Sequence, residues 1–229
     1  MSNQPHIRRS ARRFVLAAAL ATAGVSTLAL PIAGPLTAHA APAAIGSVQG
    51  RARQADAVAD QAAQALSLAQ RYQETGDTAA LTSFEQQLDL MAVTIANRIA
   101  LDPAEMQRAW AEADLEHQTA LVAALSQLGV AYRRNTSKPG VGFDCSGLTT
   151  YAWAQAGLDL TRQSSAQIRA AAPRELETAM AGDLVQYPGH VMIYLGVDRA
   201  VVHAVMPGRP VEVDVVKARR NLKFGDPTG

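Results

Sequence analysis

Cysteine is almost missing from this chain: Cys145 is the one thiol among 229 residues. A lone cysteine cannot close a bridge within its own chain, so no disulfide framework holds this fold. A charge excess is missing too. The formal net charge is +1, and it becomes −3 once the first 40 residues, with four arginines and no acid, are removed. That balance argues against a nucleic-acid partner. Beyond residue 40 no apolar run is long enough to span a membrane. Internal repeats and low-complexity linkers are absent. The 189 residues that remain can hold one substantial core and a smaller element, since domains commonly run to roughly 100–150 residues.

Arg8, Arg9, Arg12 and Arg13 precede a mostly apolar run from Phe14 to about Leu30. "LTAHA" then places Ala38 and Ala40 at the small-x-small spacing that a signal peptidase reads. The layout is that of a secretory signal peptide over residues 1–40, cleaved after Ala40. A membrane anchor is the competing reading, opposed by Pro31, Gly34 and Pro35 and by the lack of a positive flank after the run. "SARRFVL" also resembles a twin-arginine export signal, but Phe14 directly follows the arginine pair, which favours the ordinary secretion route. The mature chain is expected outside the cell or in its envelope.

From Ser47 to Leu128, apart from Gly50, glycine and proline occur once each, as Gly76 and Pro103, in a sequence rich in Ala, Gln and Leu. Such composition favours helix. Val48, Ala52, Ala55, Ala59, Ala62, Leu66 and Ala69 recur at alternating spacings of four and three. After "ETGDT" the rhythm resumes at Leu81, Phe84, Leu88, Met91 and Ile95. This predicts two helices paired along an alanine seam, an αα-hairpin. Asp102-Pro103 reads as an N-cap with proline at the first helical position. A third helix is expected from there through Met106, Trp110 and Leu121 to Leu128, closed by Gly129.

Past Gly129 the texture changes. "RRNTSKPGVG" reads as a loop, and "CSGLTTYAWAQAG" and "RQSSAQIRAAA" as helices. "GDLVQY", "HVMIYLG", "AVVHAV" and "VEVDVV" are short β-branched runs separated by Gly, Pro and Asp. Helices followed by an antiparallel sheet make an α+β fold.

Cys145 has three readings: a buried inert thiol, an intermolecular disulfide, or a nucleophile. Its setting favours the third. "GFDCSGL" puts it at a helix start, where free amide groups and the helix dipole favour thiolate over thiol, with Gly142 and Gly147 allowing close backbone approach. Asp144 and Ser146, rather than apolar residues, flank it.

A thiol nucleophile needs a base, and after residue 40 the histidines are His117, His190 and His203. His117, among charges in "ADLEHQTA", reads as an exposed surface residue. His190 and His203 lie on two strands joined by a short connection. In a hairpin with an even loop they share a face, and a two-residue turn at Gly196-Val197 would set them directly opposite. A Cys-His-His constellation follows, with His190 taking the thiol proton and His203 orienting it. Two other readings are a zinc site formed by the same three residues, and a pair of satisfied core histidines.

"GVGFDCSGLTTYAW", "DLTRQSSAQI", "AGDLVQYPGHVMIYLG" and "AVVHAV", in this order, resemble the NlpC family of papain-like cysteine peptidases that cleave peptidoglycan stem peptides. The resemblance runs from about Gln118 to Val216. It implies Cys145 as nucleophile, His190 as base and His203 as orienting residue, with no metal or cofactor. It further implies Tyr132 as an oxyanion donor beside the Cys145 amide, and Asp144, Ser146 and Ser164 as contacts to the stem peptide, Asp144 being suited either to a free amino terminus or to fixing the loop. Arg133-Arg134-Asn135 stands where the family usually has Trp-Gly-Gly, "PGD" is Ala181-Gly182-Asp183, and Met192 replaces a usual glycine. None removes a catalytic atom, and the two arginines suit substrate carboxylates or serve as solvated loop charges.

The organisation expected is a signal peptide over 1–40, a helical hairpin or coiled coil over 41–101, and a papain-like NlpC-type peptidase domain over 102–229. The expected activity is that of a D,L-endopeptidase acting between D-glutamate and the diamino acid. Another thiol amidase or acyl transferase of the envelope, and a non-catalytic wall-associated protein, are the alternatives. The hairpin is expected to project as a spacer, self-associating or partner-binding coil, in preference to lying across the cleft as a lid.

Overall fold

The computed structural model describes residues 56–217 and 221–229. The expected signal peptide, and Val48, Ala52 and Ala55 of the expected first helix, lie outside them.

Two long helices come first, α1 (Ala57–Thr75) and α2 (Thr78–Arg98). Asp56 caps α1 by accepting from the Val58 amide at 3.0 Å, and Asp77 caps α2 through the amides of Ala79 and Ala80. Between them Gly76, at φ 70°, ends α1 in the left-handed conformation that glycine adopts without cost. The far end of the pair is closed by a two-pronged contact from Arg98 to Asp56 at 2.8 and 3.0 Å. Ala59, Ala62, Leu66 and Ala69 of the alanine seam are buried, as are Phe84, Leu88, Met91 and Ile95.

The expected third helix is two helices. α3 (Pro103–Glu112) begins after Asp102, which caps Ala104 at 2.8 Å. At Ala113 the backbone becomes extended, φ −71° and ψ 145°. Asp114 then caps α4 (Leu115–Leu125) through the His117 amide at 2.9 Å. A short acid side chain that competes for backbone amides ends one helix and begins the next. The break turns α4 into the interior, where every residue from His117 to Leu125 is buried.

The hairpin does not project. α1 packs on α4 and α2 on α3, Gln70 bonds Gln155 at 3.0 Å, and one continuous apolar cluster joins Val58, Phe84 and Ile95 to Leu121, Leu148 and Ile193. An alanine seam buries little area by itself, at roughly 25 cal/mol per Å2. The second face of each helix is therefore used against the rest of the protein.

A minor hairpin, β1 (Ser137–Lys138) with β2 (Gly142–Phe143), occupies the expected loop and leads into α5 (Cys145–Gln155); α6 (Ser164–Ala170) follows. The main sheet has six antiparallel strands: β3 (Ala172–Arg174), β4 (Leu184–Tyr187), β5 (His190–Tyr194), β6 (Ala200–Ala204), β7 (Val211–Val215) and β8 (Lys223–Asp226), in the order β3-β8-β4-β5-β6-β7. Together these elements make an α+β fold, helices packed on an antiparallel sheet. The four β-branched runs became β4 to β7. Strand alternation sends Val191, Ile193 and Val202 into the main core, while Met192, Tyr194 and Val201 form a smaller cluster with Phe224. No helix among the described residues is long and apolar enough to cross a membrane.

Candidate active site

Cys145 opens α5. Asp144 caps that helix, Oδ1 accepting from the Gly147 amide at 2.8 Å. Its other oxygen accepts from the Asn135 amide at 2.6 Å and from Arg162 Nη2 at 2.6 Å. Arg162 Nη1 also donates to Ser146 Oγ at 2.7 Å. Both residues flanking the thiol are thus held by one guanidinium. Of the two roles expected for Asp144, the structure displays the loop-fixing one, and the Ser146 hydroxyl is likewise engaged. Gly147 is required where it stands, because a Cβ there would collide with the Thr136 carbonyl oxygen. Gly142 serves the same purpose, leaving room for the Arg133 side chain.

The loop from Ala131 to Arg133 joins this helix start to the sheet. Ala131 bridges Pro210 and Tyr132 bridges Phe143, and the Tyr132 amide donates to the Arg209 carbonyl at 3.0 Å. Cys145 therefore lies at the end of the sheet where β5 begins, β6 ends and β7 begins. α5 itself packs on β5 and β6. Burial, then the negative charge of a Cys145 thiolate and of Asp144, hold the Tyr132 phenol above its ordinary range. Its hydroxyl stays protonated, as a hydrogen-bond donor must.

His190 Nε2 and His203 Nδ1 are 3.0 Å apart, with both side chains buried. The register differs from the expected one by two residues. Ile193 pairs with Val202 and Tyr194 with Val201, so a four-residue turn from Gly196 to Arg199 replaces the two-residue turn, closed by the Leu195 amide on the Ala200 carbonyl at 2.9 Å. The histidines share a face but meet diagonally, which lets an imidazole nitrogen of one reach a nitrogen of the other. Burial first, then the nearby charges of His190 and Arg209, push His203 down to about 3, so it is neutral at working pH. Tyr187, the cross-strand partner of His190, packs its ring 5.1 Å from the imidazole. Ser164, half-buried, begins α6.

Residues 129–222 match the family model described as NlpC/P60 family. Over that stretch the chain is similar to the NlpC/P60 family. A probable endopeptidase of Mycobacterium tuberculosis is 40% identical over 100 residues, covering 42% of this chain and 26% of its own length. The bifunctional muramidase/DL-endopeptidase CwlT of Bacillus subtilis is 38% identical over 88 residues, 35% of this chain and 27% of its own. Among solved structures, RipD of Mycobacterium tuberculosis, described as a non-catalytic NlpC/p60 domain protein, is 28% identical with a TM-score of 0.42, covering 49% of this chain and 98% of that one. The chain spans about a quarter of the length of the mycobacterial relative.

Three residues in or beside the matched stretch make contacts that the sequence alone does not announce. Arg162, inside "DLTRQSSAQI", holds Asp144 and Ser146 without a local pattern that marks it. Gln167, in the same stretch, is buried and ties α6 to α5, its amide donating to the carbonyls of Ser146 and Thr161 and accepting from Thr149. Glu212 is the direct partner of His203 in the β6–β7 register; extending the hairpin pairing by one strand would have found it. His117, expected on the surface, is fully buried. Its Nδ1 lies 2.8 Å from Asp114 and its Nε2 3.1 Å from Asp183. Of the charges beside it in sequence, Asp114 is a partner, while Asp183 comes from far along the chain.

Proposed function

We propose that this protein is an exported peptidoglycan hydrolase, a D,L-endopeptidase that cleaves stem peptides between D-glutamate and the diamino acid by a Cys-His-His mechanism. The observation that carries the reading is the His190–His203 hydrogen bond at the end of the sheet where α5 presents Cys145. The names of the relatives, probable endopeptidase and DL-endopeptidase, support it.

In this mechanism His190 accepts the Cys145 proton and the thiolate attacks the scissile carbonyl. The oxyanion formed is held by the Cys145 amide and the Tyr132 hydroxyl. Collapse expels the amine, which receives the proton back from His190, and leaves a thioester. Water, deprotonated by the same imidazole, hydrolyses the thioester and regenerates the thiol. Ser164 and the Arg133-Arg134 pair are assigned to the stem peptide and its carboxylates. Asp144 and Ser146 would contact substrate only by exchanging part of their bonding to Arg162.

Mass spectrometry of muropeptides incubated with the protein beginning at Ala41 tests the proposal. Products split after D-glutamate are expected. Activity should survive a chelator and be lost to iodoacetamide. Retention of intact muropeptides without cleavage would instead assign a non-catalytic wall-binding role, and cleavage at another amide would redirect the specificity.

A further inference from the structure

We infer that Glu212 is a positioning residue for the proposed reaction: its carboxylate receives the Nε2 proton of His203 and so fixes the tautomers of both histidines. The inference rests on the Cys145-His190-His203 reading above.

His203 and Glu212 face each other across β6 and β7. Among the described residues His203 Nε2 is buried without a hydrogen-bond partner, and Glu212 Oε1 lies 3.9 Å from it. A neutral imidazole has one donor nitrogen and one acceptor nitrogen. The Nδ1 of His203 is already committed to His190 Nε2, so the proton on that bond can belong to either ring. A carboxylate only accepts. With Glu212 beside Nε2, His203 carries its proton there, and its Nδ1 must accept. His190 then carries its own proton on Nε2 and keeps Nδ1 bare, the form a base requires. Without Glu212, His203 could place its proton on Nδ1, and His190 would hold its proton on the wrong nitrogen.

At 3.9 Å the contact must shorten by about 1 Å to become a hydrogen bond. Bonds of this kind are often long in unliganded sites and tighten in the complex. Arg209 holds the carboxylate from the outer side, its Nε donating to Oε2 at 3.3 Å and its Nη2 contacting Oε1. Asp214, two residues on, lies on the same face of β7. Asp56 and Arg98, at the open end of the helical hairpin, share with Glu212 the lining of a pocket of about 170 Å3. The open end of the hairpin thus lies beside β7 at Glu212.

The test is steady-state hydrolysis of a purified muropeptide by the chain from Ala41, in Glu212→Ala, Glu212→Gln, His203→Ala and the His203→Ala/Glu212→Ala pair. Glu212→Ala should lower kcat about tenfold, the worth of one hydrogen bond, with KM within twofold. Glu212→Gln, which keeps an acceptor but loses the charge, should restore most of that. In the His203→Ala background the Glu212→Ala change should add less than twofold. Nitrogen-15 NMR of His203 should show the proton on Nε2 in the parent and a redistributed tautomer in Glu212→Ala. Equal losses in both backgrounds, or Gln as damaging as Ala, would assign Glu212 a merely structural pairing with Arg209 and overturn the inference. Retained activity in Cys145→Ala would overturn the underlying mechanism instead.

Discussion

His117 Nε2 lies 3.1 Å from Asp183 Oδ1, and neither side chain touches solvent. Asp226 Oδ1 is 3.4 Å from the same nitrogen, so one imidazole at the start of α4 joins the approach to β4 to the end of β8. Burial alone would push this histidine down, but hydrogen bonds to Asp183 and Asp114, and their charges, raise it to about 9. The core therefore holds an imidazolium at neutral pH. Because the folded value lies above the ordinary 6.5, its contribution to stability is complete below about pH 6.5 and is lost as pH rises through about 9. The thermal midpoint should fall over that window in the parent and not in His117→Gln. His117→Ala, which leaves buried carboxylates without their counter-charge, should cost about 3–5 kcal/mol by urea unfolding. Parallel pH curves for parent and Gln variant would show the ring to be neutral.

Phe84 on α2 is fully buried in the same apolar cluster as Leu121 of α4 and Leu148 of α5. Phe84→Ala should cost about 3–5 kcal/mol. In calorimetry it should move a single transition for the whole described chain. A separate hairpin transition, shifted alone, would show that α1 and α2 fold independently of the rest.

Much of this architecture was legible because apolar rhythm records which face a residue presents. The hairpin seam, the four central strands and the shared face of His190 and His203 all follow from it. Rhythm fixes parity but not register, so it does not distinguish a two-residue turn from a four-residue one, and the histidines meet diagonally where the shorter turn would set them opposite. β3 and β8, "APR" and "KFGD", lack β-branched runs and form because the sheet supplies partners. The burial of His117 depends on Asp183 and Asp226, far along the chain, whose proximity no local pattern announces.

Gly147 sets the distance between α5 and the Thr136 backbone. The Thr136 carbonyl accepts from the Asp144 amide at 3.1 Å, and the missing Cβ is what lets it approach. In an ordinary helix Gly→Ala stabilises by roughly 1 kcal/mol. Here the added methyl should force the 134–136 loop outward, and Gly147→Ala should destabilise by about 1–3 kcal/mol. It should also raise KM by loosening the Asp144–Arg162 contact. A stabilised variant with unchanged kinetics would refute the close-approach argument.

Substitutions at the proposed catalytic residues separate their roles by kind as well as by size. Cys145→Ala and His190→Ala should each abolish muropeptide hydrolysis with the fold intact by circular dichroism, since one supplies the nucleophile and the other the proton transfer. His203→Gln should be milder, because an amide still offers His190 an acceptor. It should differ in its pH dependence too. The folded value of His203, about 3, lies below the ordinary 6.5, so its neutral form contributes stability that is present above about pH 6.5 and lost as pH falls toward 3. His203→Gln should flatten that acid decline in thermal unfolding, and Cys145→Ala should not. Hydrolysis by any single alanine variant within a few-fold of the parent would remove that residue from the mechanism. An unflattened acid decline in His203→Gln would mean that His203 gains its proton in the folded protein as readily as in the unfolded chain, against the burial argument.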